Sequence, residues 1–390
     1  MSSMEKSISV KELAPGMYVV RYGQGTFADP FVHIERRLMS RAEIRDALPP
    51  DIGRVVVDKD KGHPLSDSEQ GLEENDSVGL EEEFPVAEKL YSEAVSYARV
   101  FMEDVRRGKP LDYRESLPLV DHFIASVFRN ESAAASISRL RKFDEYTFTH
   151  CTNVSILAVI LGKNLGLQQN KLELLGVAGL FHDVGKARIP EQILNKPGKL
   201  TEREFNIMKT HPLEGYKVLQ GGQGIHSEVL KGVVEHHERF DGRGYPLNVS
   251  GENLGSFSRI LAVVDVYDAL TSKRVYKPSI APSKALAMLY TGRGDKFDPA
   301  YVEAFIKCMG IYPVGSFVRL TGGEYGVVCD VNAEQPLKPK VKIVFDAKMR
   351  AHPPRMVDLS LAEPGREPDL EIADCINPAD YKIDVSRLFF

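Results

Sequence analysis

The sequence predicts a mainly α-helical protein, with a small α+β module before the helical region and a short antiparallel β appendage after it. Three observations support this fold class. Apolar residues recur at three- and four-residue intervals across 86–313, whereas short apolar runs bounded by turn residues occur before and after that region. The first pattern is typical of amphipathic helices and the second of half-buried strands.

The N-terminal module is predicted to span residues 1–62. The runs MYVV at 17–20 and RVVVD at 54–58 follow turn residues and predict strands, and 41–48 between them has helical spacing. Residues 63–85 contain eight Asp and Glu and no Lys or Arg. That composition buries little apolar surface, so we expect a solvated acidic linker there.

The helical region is predicted to span 86–313, with leading helices in 86–142 and a core in 143–313. The periodic segments are 86–105, 117–128, 146–165, 171–181, 202–208, 228–238, 258–270 and 284–290. Thr201 and Glu204 form a capping-box pattern at the start of one segment. Residues 314–390 form the β appendage and C-terminal tail, with strands predicted at 316–320, 325–331 and 340–345.

Composition and charge exclude several classes of protein. The net charge of −5 favours neither a nucleic-acid polymer nor an anionic membrane as partner. The four cysteines lie far apart, which argues against a disulfide framework or a cysteine-type zinc site. The first residues lack a signal-peptide pattern and the longest apolar run, 154–161, is too short to span a bilayer. We therefore expect a cytoplasmic location.

Histidine and aspartate residues cluster in the helical region and predict a divalent-metal site. Neutral imidazole and carboxylate groups supply the lone pairs that such a site requires. His182 and Asp183 follow an apolar helix, where an unpaired ionisable pair would be costly to bury. The alternative is a histidine stabilised by the helix dipole with Asp183 facing water. The histidines in this region are His150, His182, His211, His236 and His237.

The run HHERFDGRGYP at 236–246 completes a recognisable signature. Together with His182-Asp183 and Gly185-Lys186, it resembles the HD-GYP family of bacterial cyclic-dinucleotide phosphodiesterases, a subgroup of the HD metal-dependent phosphohydrolases. The resemblance covers 143–309, including 209–212 and 259–271. The N-terminal segment VKELAPGMYVV also resembles a domain of unassigned role that often precedes HD-GYP domains.

The resemblance implies two divalent metal ions. One would be held by His150, His182, Asp183 and Asp265. The other would be held by His211, His236 and His237, with Asp183 bridging the two ions. The set contains no thiolate, which suits iron or manganese. Some family members carry a Glu at the position of Tyr146 that helps to hold a third metal, so two ions are expected here.

The resemblance also implies the reaction, which is hydrolysis of cyclic di-GMP to linear pGpG, with further cleavage to GMP as an extension. Asp183 and Lys186 are the predicted catalytic residues, with a metal-activated hydroxide as nucleophile. The predicted substrate-binding residues are Lys186, Tyr245, Arg274 and Lys277. Surface or packing roles remain the alternatives for Lys186 and Tyr245.

Four alternatives stay open at this level. The same chemistry could act on 3′,3′-cyclic GMP-AMP, or the protein could be a non-catalytic cyclic-dinucleotide receptor. It could also be an HD phosphohydrolase for other nucleotides, or a structural metal protein without turnover. A homodimer, and protein partners bound through the N-terminal module or the GYP loop, are further hypotheses.

Overall fold

The computed structural model describes residues 5–9, 13, 17–23, 31–37, 54–58, 78–140, 146–222, 224–272, 279–332, 335–361, 370–381 and 383–389. The chain divides into two compact units, 1–77 and 78–390. Several predictions fall outside the described residues: the helix at 41–48, most of the acidic linker, and the substrate contacts Arg274 and Lys277.

The first unit contains a four-stranded antiparallel sheet. Its strands are β1 (Glu5–Ser9), β2 (Tyr18–Gly23), β3 (Phe31–Arg37) and β4 (Arg54–Asp58), in the order β1-β4-β2-β3. The two strands predicted from MYVV and RVVVD are therefore confirmed. Val19, Val55 and Val57 are buried, as expected for β-branched residues on the packed face of a sheet. The sequence pattern did not reveal β1 or β3.

The second unit begins with a long helix, α1 (Leu80–Arg106), whose first residues belong to the predicted linker. The linker boundary at residue 85 is thus wrong by a turn and a half. The reason is Glu83, which is buried and bonded to Ser126 Oγ at 2.7 Å and to the guanidinium of Arg129 at 2.7 and 2.8 Å. This ion pair anchors an acidic segment that composition alone predicts to be solvated.

The next four helices build the core of this unit. They are α2 (Leu117–Arg129), α3 (Glu131–Leu140), α4 (Tyr146–Asn164) and α5 (Gln169–Phe181). Residues 150–162 of α4 are buried on every face. A helix without a polar face lies inside a domain, so α4 is the central element on which the other helices pack. None of the described helices combines the length and apolar character that a bilayer crossing requires.

Further helices follow and carry several of the predicted motifs. They are α6 (Glu191–Leu194), α7 (Glu202–Met208), α8 (His211–Gln220), α9 (Ser227–Glu235), α10 (Ser256–Thr271), α11 (Pro282–Thr291) and α12 (Pro299–Met309). The capping box of Thr201 and Glu204 starts α7 as predicted. The prediction extended α9 to residue 238, but it ends at Glu235, and α3, α6, α8 and α12 were not predicted.

Two of the unpredicted helices have a proline near their start. Pro212 and Pro299 lie in the first turn of α8 and α12. Proline is tolerated there because a first-turn N–H has no intrahelical partner. Asp298 also caps α12, since its carboxylate accepts from Ala300 N at 2.9 Å.

A five-stranded antiparallel sheet forms the C-terminal part, and a short helix, α13 (Ser386–Phe389), follows it. The strands are β5 (Phe317–Leu320), β6 (Tyr325–Asp330), β7 (Lys340–Phe345), β8 (Ala351–Asp358) and β9 (Ile372–Ile376), in the order β8-β7-β6-β5-β9. The predicted small antiparallel sheet is confirmed, with two more strands than the sequence indicated. Its apolar core includes Ala281, which precedes α11.

Candidate metal centre

The seven residues predicted as metal ligands lie mostly at helix ends. His182 and Asp183 follow the last residue of α5, and His211 is the first residue of α8. His236 caps the C-terminus of α9, and His237 follows it. These positions suit metal ligands, because side chains at the ends of different helices can converge on a common point without interrupting any of the helices. The remaining two residues, His150 in α4 and Asp265 in α10, project from helix interiors.

The seven side chains converge into two adjoining groups. The site 1 group consists of His150, His182 and Asp265, and the site 2 group consists of Asp183, His211, His236 and His237. Within each group, one nitrogen or oxygen from every residue lies within 4.8 Å of the others. All seven are buried except His237, which is partly exposed. Such a set of nitrogen and oxygen donors could hold a divalent cation in each group.

Asp183 faces both groups with different oxygens. Its Oδ1 lies 3.2 Å from His211 Nε2 and 3.8 Å from His236 Nε2. Its Oδ2 lies 3.4 Å from His182 Nε2 and 3.6 Å from His150 Nε2. A carboxylate placed in this way can contribute one oxygen to each of two neighbouring cations.

Backbone carbonyls orient three of the imidazoles. The Nδ1 atoms of His182, His211 and His236 lie 2.7, 2.8 and 2.7 Å from the carbonyl oxygen three residues earlier. Because a carbonyl only accepts, each Nδ1 donates and each Nε2 keeps a lone pair that faces the cluster. Metal-binding histidines are oriented in this way.

Two buried atoms in the cluster make no hydrogen bond with any described residue. They are His182 Nε2 and Asp183 Oδ1. A buried polar atom without a partner is costly, and a bound cation would remove that cost at both atoms. The residues present therefore fit divalent metal ions.

The electrostatics keep most of the cluster in metal-binding protonation states. Burial and neighbouring imidazoles hold the pKa of His236 well below its usual value, and burial lowers the pKa of His237 to about 3. Burial would raise the pKa of Asp183, but Lys186 and His182 hold it well below its usual range. Burial also opposes ionisation of Asp265, whose pKa is nevertheless lowered by its hydrogen bond to His150. These four groups are neutral imidazoles and ionised carboxylates near pH 7.

Lys186 lies beside the cluster, in the turn after Asp183. Its ammonium group pairs with Asp183 Oδ2. Burial alone would lower the pKa of Lys186, but Asp183 raises it, so the side chain stays charged. Lys186 is therefore a partly buried cation beside a carboxylate that is predicted to bind metal.

The GYP loop folds back onto the cluster. The ring of Tyr245 lies 4.9 Å from the ring of His237, and Tyr245 N donates to His237 O at 3.3 Å. The loop is held by Glu238, which is buried and whose Oε1 accepts from Leu247 N at 2.5 Å and from Asn248 N at 2.9 Å. Tyr245 thus contacts a predicted ligand and borders the site.

The structure brings the seven predicted ligands, Lys186 and Tyr245 into one region, and their functional roles stay predictions. Arg274, Lys277 and the side chain of Tyr146 lie outside the described residues. Sequence reasoning missed Asp268, whose Oδ2 lies 2.7 Å from His150 Nδ1, and the loop-binding role of Glu238. The available signal for Asp268 was its position three residues after Asp265, which places both on one face of α10.

Comparison with known families is consistent with this centre. Residues 129–301 match the HD domain family, residues 5–116 match a domain of unknown function, and residues 317–383 match a KOW domain associated with the HD domain. Phosphohydrolases of the HD class bind divalent metal ions. The N-terminal match extends well beyond the module boundary predicted at residue 62.

Curated relatives give a more specific assignment. The chain is 36% identical over 373 residues to a cyclic di-GMP phosphodiesterase of Pseudomonas aeruginosa, covering 92% of this chain and 90% of the relative. It is 40% identical over 200 residues to the cyclic di-GMP phosphodiesterase response regulator RpfG of Xanthomonas campestris, covering 50% and 53%. The chain belongs to the HD-GYP family of HD-domain phosphohydrolases.

Two other matches are more limited. A 3′3′-cGAMP-specific phosphodiesterase of Vibrio cholerae is 39% identical over 145 residues, covering 37% of this chain and 33% of the relative. A solved HD-GYP-type protein of Bdellovibrio bacteriovorus aligns with a TM-score of 0.48 at 16% identity, covering 77% of this chain and 98% of that one.

Proposed function

We propose that this protein is a metal-dependent phosphodiesterase that hydrolyses cyclic di-GMP to linear pGpG. The observation that carries the proposal is the pair of adjoining ligand groups, with one oxygen of Asp183 facing each. The name of the Pseudomonas relative, which matches over nearly the whole chain, supports the choice of substrate. Further cleavage to GMP is part of the proposal.

The proposed cofactors are two divalent metal ions, with iron or manganese preferred. The site 1 group and the site 2 group each offer imidazole and carboxylate donors without a thiolate, a set that suits these ions. When bound, two such ions supply positive charge to a phosphodiester and lower the pKa of water enough to give a hydroxide nucleophile.

The chain's own residues orient the substrate and handle protons in this proposal. The ammonium group of Lys186 binds a phosphate oxygen or gives a proton to the leaving alkoxide. Tyr245, whose ring is held against His237, contacts a guanine base or a phosphate. Arg274 and Lys277 remain predicted phosphate contacts.

A second substrate, 3′,3′-cyclic GMP-AMP, is a candidate because the Vibrio relative carries that name. The two cyclic dinucleotides differ at one base, so the same centre could cut either. A receptor without turnover is less consistent with the site, because every position of the two-metal pattern holds a ligand residue. The location proposed from the sequence is the cytoplasm, where the four free cysteines would stay reduced.

The experiment is an assay of both dinucleotides after anaerobic purification and metal analysis. His236→Ala removes a site 2 imidazole, so we expect turnover to fall at least about a hundredfold. His226→Ala is the matched control, because His226 lies at the other end of α9 and its ring accepts from Glu228 N. That variant should lose about 0.5–2 kcal/mol of stability as a lost helix cap and keep wild-type turnover.

The outcomes separate the alternatives. If the metal-loaded wild-type protein and Asp183→Ala both bind the dinucleotide and neither releases product, the protein is a receptor. Full activity of His236→Ala would instead favour an HD phosphohydrolase that does not need site 2.

A further inference from the structure

His150 differs from His182, His211 and His236 in the hydrogen-bond partner of its Nδ1 atom. Its Nδ1 lies 2.7 Å from the carboxylate oxygen Oδ2 of Asp268, not from a backbone carbonyl. Its Nε2 points toward site 1 and lies 3.0 Å from Asp265 Oδ1. Asp265 and Asp268 lie three residues apart on α10, so one face of this helix supplies both a predicted ligand and the partner of another.

The second carboxylate oxygen of Asp268 also accepts hydrogen bonds. Oδ1 accepts from Asn153 Nδ2 at 2.7 Å and from Ser272 Oγ at 3.0 Å. Asn153 Oδ1 in turn accepts from the hydroxyl of Tyr91 at 2.8 Å. Because a carboxylate only accepts, the NH₂ group of Asn153 must face Asp268, and the amide oxygen is left to accept from the Tyr91 hydroxyl.

These bonds form a continuous chain across three helices. It runs from Tyr91 in α1 to Asn153 in α4, then to Asp268 in α10, and from Asp268 back to His150 in α4. All four residues are at most 2% exposed. In such a dry environment, a carboxylate that accepts from the far nitrogen of an imidazole fixes the orientation of the ring and strengthens it as a ligand.

We propose that Asp268 is a positioning residue for site 1, and that Asn153 and Tyr91 hold it in place. The carboxylate accepts the Nδ1 hydrogen of His150, so that the Nε2 lone pair of the ring is directed to site 1. The proposal rests on the proposed function, because it takes His150 as a metal ligand. It also connects α1, which lies within the range that matches the domain of unknown function, to the metal centre.

Asp268→Asn is the first test. Asparagine has nearly the same size as aspartate, but its single oxygen cannot accept from both His150 and Asn153. One of these two donors would then face an NH₂ group. We expect one of two Mn²⁺ dissociation constants to rise about tenfold to a hundredfold, and the other to stay unchanged. The measurement is a Mn²⁺ titration followed by electron paramagnetic resonance, which needs no substrate.

Glu83→Gln is the matched control. It makes the same carboxylate-to-amide change at a buried residue whose partners are Ser126 and Arg129, away from the cluster. We expect a lower melting temperature with both Mn²⁺ constants unchanged. If Asp268→Asn also lowers only the melting temperature, Asp268 has a structural role and the proposal is overturned.

Tyr91→Phe keeps the test decisive if Asp268→Asn does not fold. It removes one hydroxyl and its bond to Asn153, and we expect the same Mn²⁺ constant to rise about fivefold, as for one lost hydrogen bond. Wild-type constants in Tyr91→Phe would overturn the chain of support. A wild-type protein that binds two Mn²⁺ ions without hydrolysing a dinucleotide would refute the proposed function, and the Mn²⁺ constants of the variants would still decide the role of Asp268. A wild-type protein that binds no Mn²⁺ would overturn both.

Discussion

Gly185, in the turn between Asp183 and Lys186, packs so closely that any side chain should disrupt the metal centre. A Cβ atom at this position would lie 1.9 Å from the carbonyl oxygen of His211 and 2.4 Å from Gly215 N. Real Cβ contacts are essentially never shorter than 3.0 Å, so the two segments would have to separate by about 1.1 Å. Both obstructing atoms are backbone atoms of α8 and cannot rotate away.

Gly185→Ala should lower both stability and activity, because α8 carries the predicted ligand His211. Overpacking of this kind costs about 1–3 kcal/mol of the free energy of unfolding. His211 is the first residue of α8, with its Nε2 3.2 Å from Asp183 Oδ1. A displacement of about 1 Å at a reacting centre can reduce the rate about a hundredfold, so we expect that loss in kcat/KM.

The assays are urea unfolding, followed by circular dichroism, and hydrolysis of cyclic di-GMP. Gly221→Ala is the matched control at the other end of α8, where a Cβ would meet its nearest atoms at 3.5 and 3.6 Å with an ordinary helical backbone. We expect its stability to change by no more than about 0.5 kcal/mol and its activity to be normal. The reasoning is refuted if Gly185→Ala and Gly221→Ala behave alike in both assays.

Two further predictions concern charged side chains outside the ligand set. Glu238→Ala should leave two backbone N–H groups of the GYP loop without their acceptor, costing about 1–3 kcal/mol, and should raise KM by loosening Tyr245. Glu238→Gln keeps an acceptor and should retain the wild-type KM, and equal KM values for all three proteins would contradict this role. The second prediction concerns pH, because hydrogen bonds from Lys196 lower the pKa of Glu204 from 4.5 to about 2. The stability that the Glu204 carboxylate contributes is therefore present above about pH 4.5 and is lost as pH falls through about 2. The difference in melting temperature between the wild type and Glu204→Gln should shrink over that range. Glu202→Gln, in the same helical turn, is the control. A difference that stays constant down to pH 2 would show that the charge of Glu204 contributes nothing to stability.

Local sequence signals predicted secondary structure best where the residues that form the signal also stabilise the element. The helix α7, Glu202–Met208, was predicted from its helical spacing, and the capping box marked its start, because Thr201 and Glu204 satisfy each other's backbone N–H groups without distant partners. The strand β4, Arg54–Asp58, was likewise predicted from β-branched residues after a turn.

Signals that depend on distant partners were misread. The acidic start of α1 was predicted to be a linker, because nothing near Glu83 in the sequence shows that Arg129 neutralises it. The strand β9 was missed for a similar reason, since it pairs with β5, which lies more than fifty residues earlier in the chain. Composition describes a segment by itself and carries no information on what covers it.

The sequence by itself determined the inventory of the centre. The clustered histidines and aspartates predicted a divalent-metal site, and the resemblance of His182-Asp183 and 236–246 to the HD-GYP family implied a ligand set of five imidazoles and two carboxylates. Only the tertiary structure decided how these groups are arranged. It placed one oxygen of Asp183 toward each ligand group, and it placed Asp268 behind His150, a residue 118 positions away. The physical reason is that the direction of a buried side chain is set by the helices that pack around it, and their packing is a property of the whole chain.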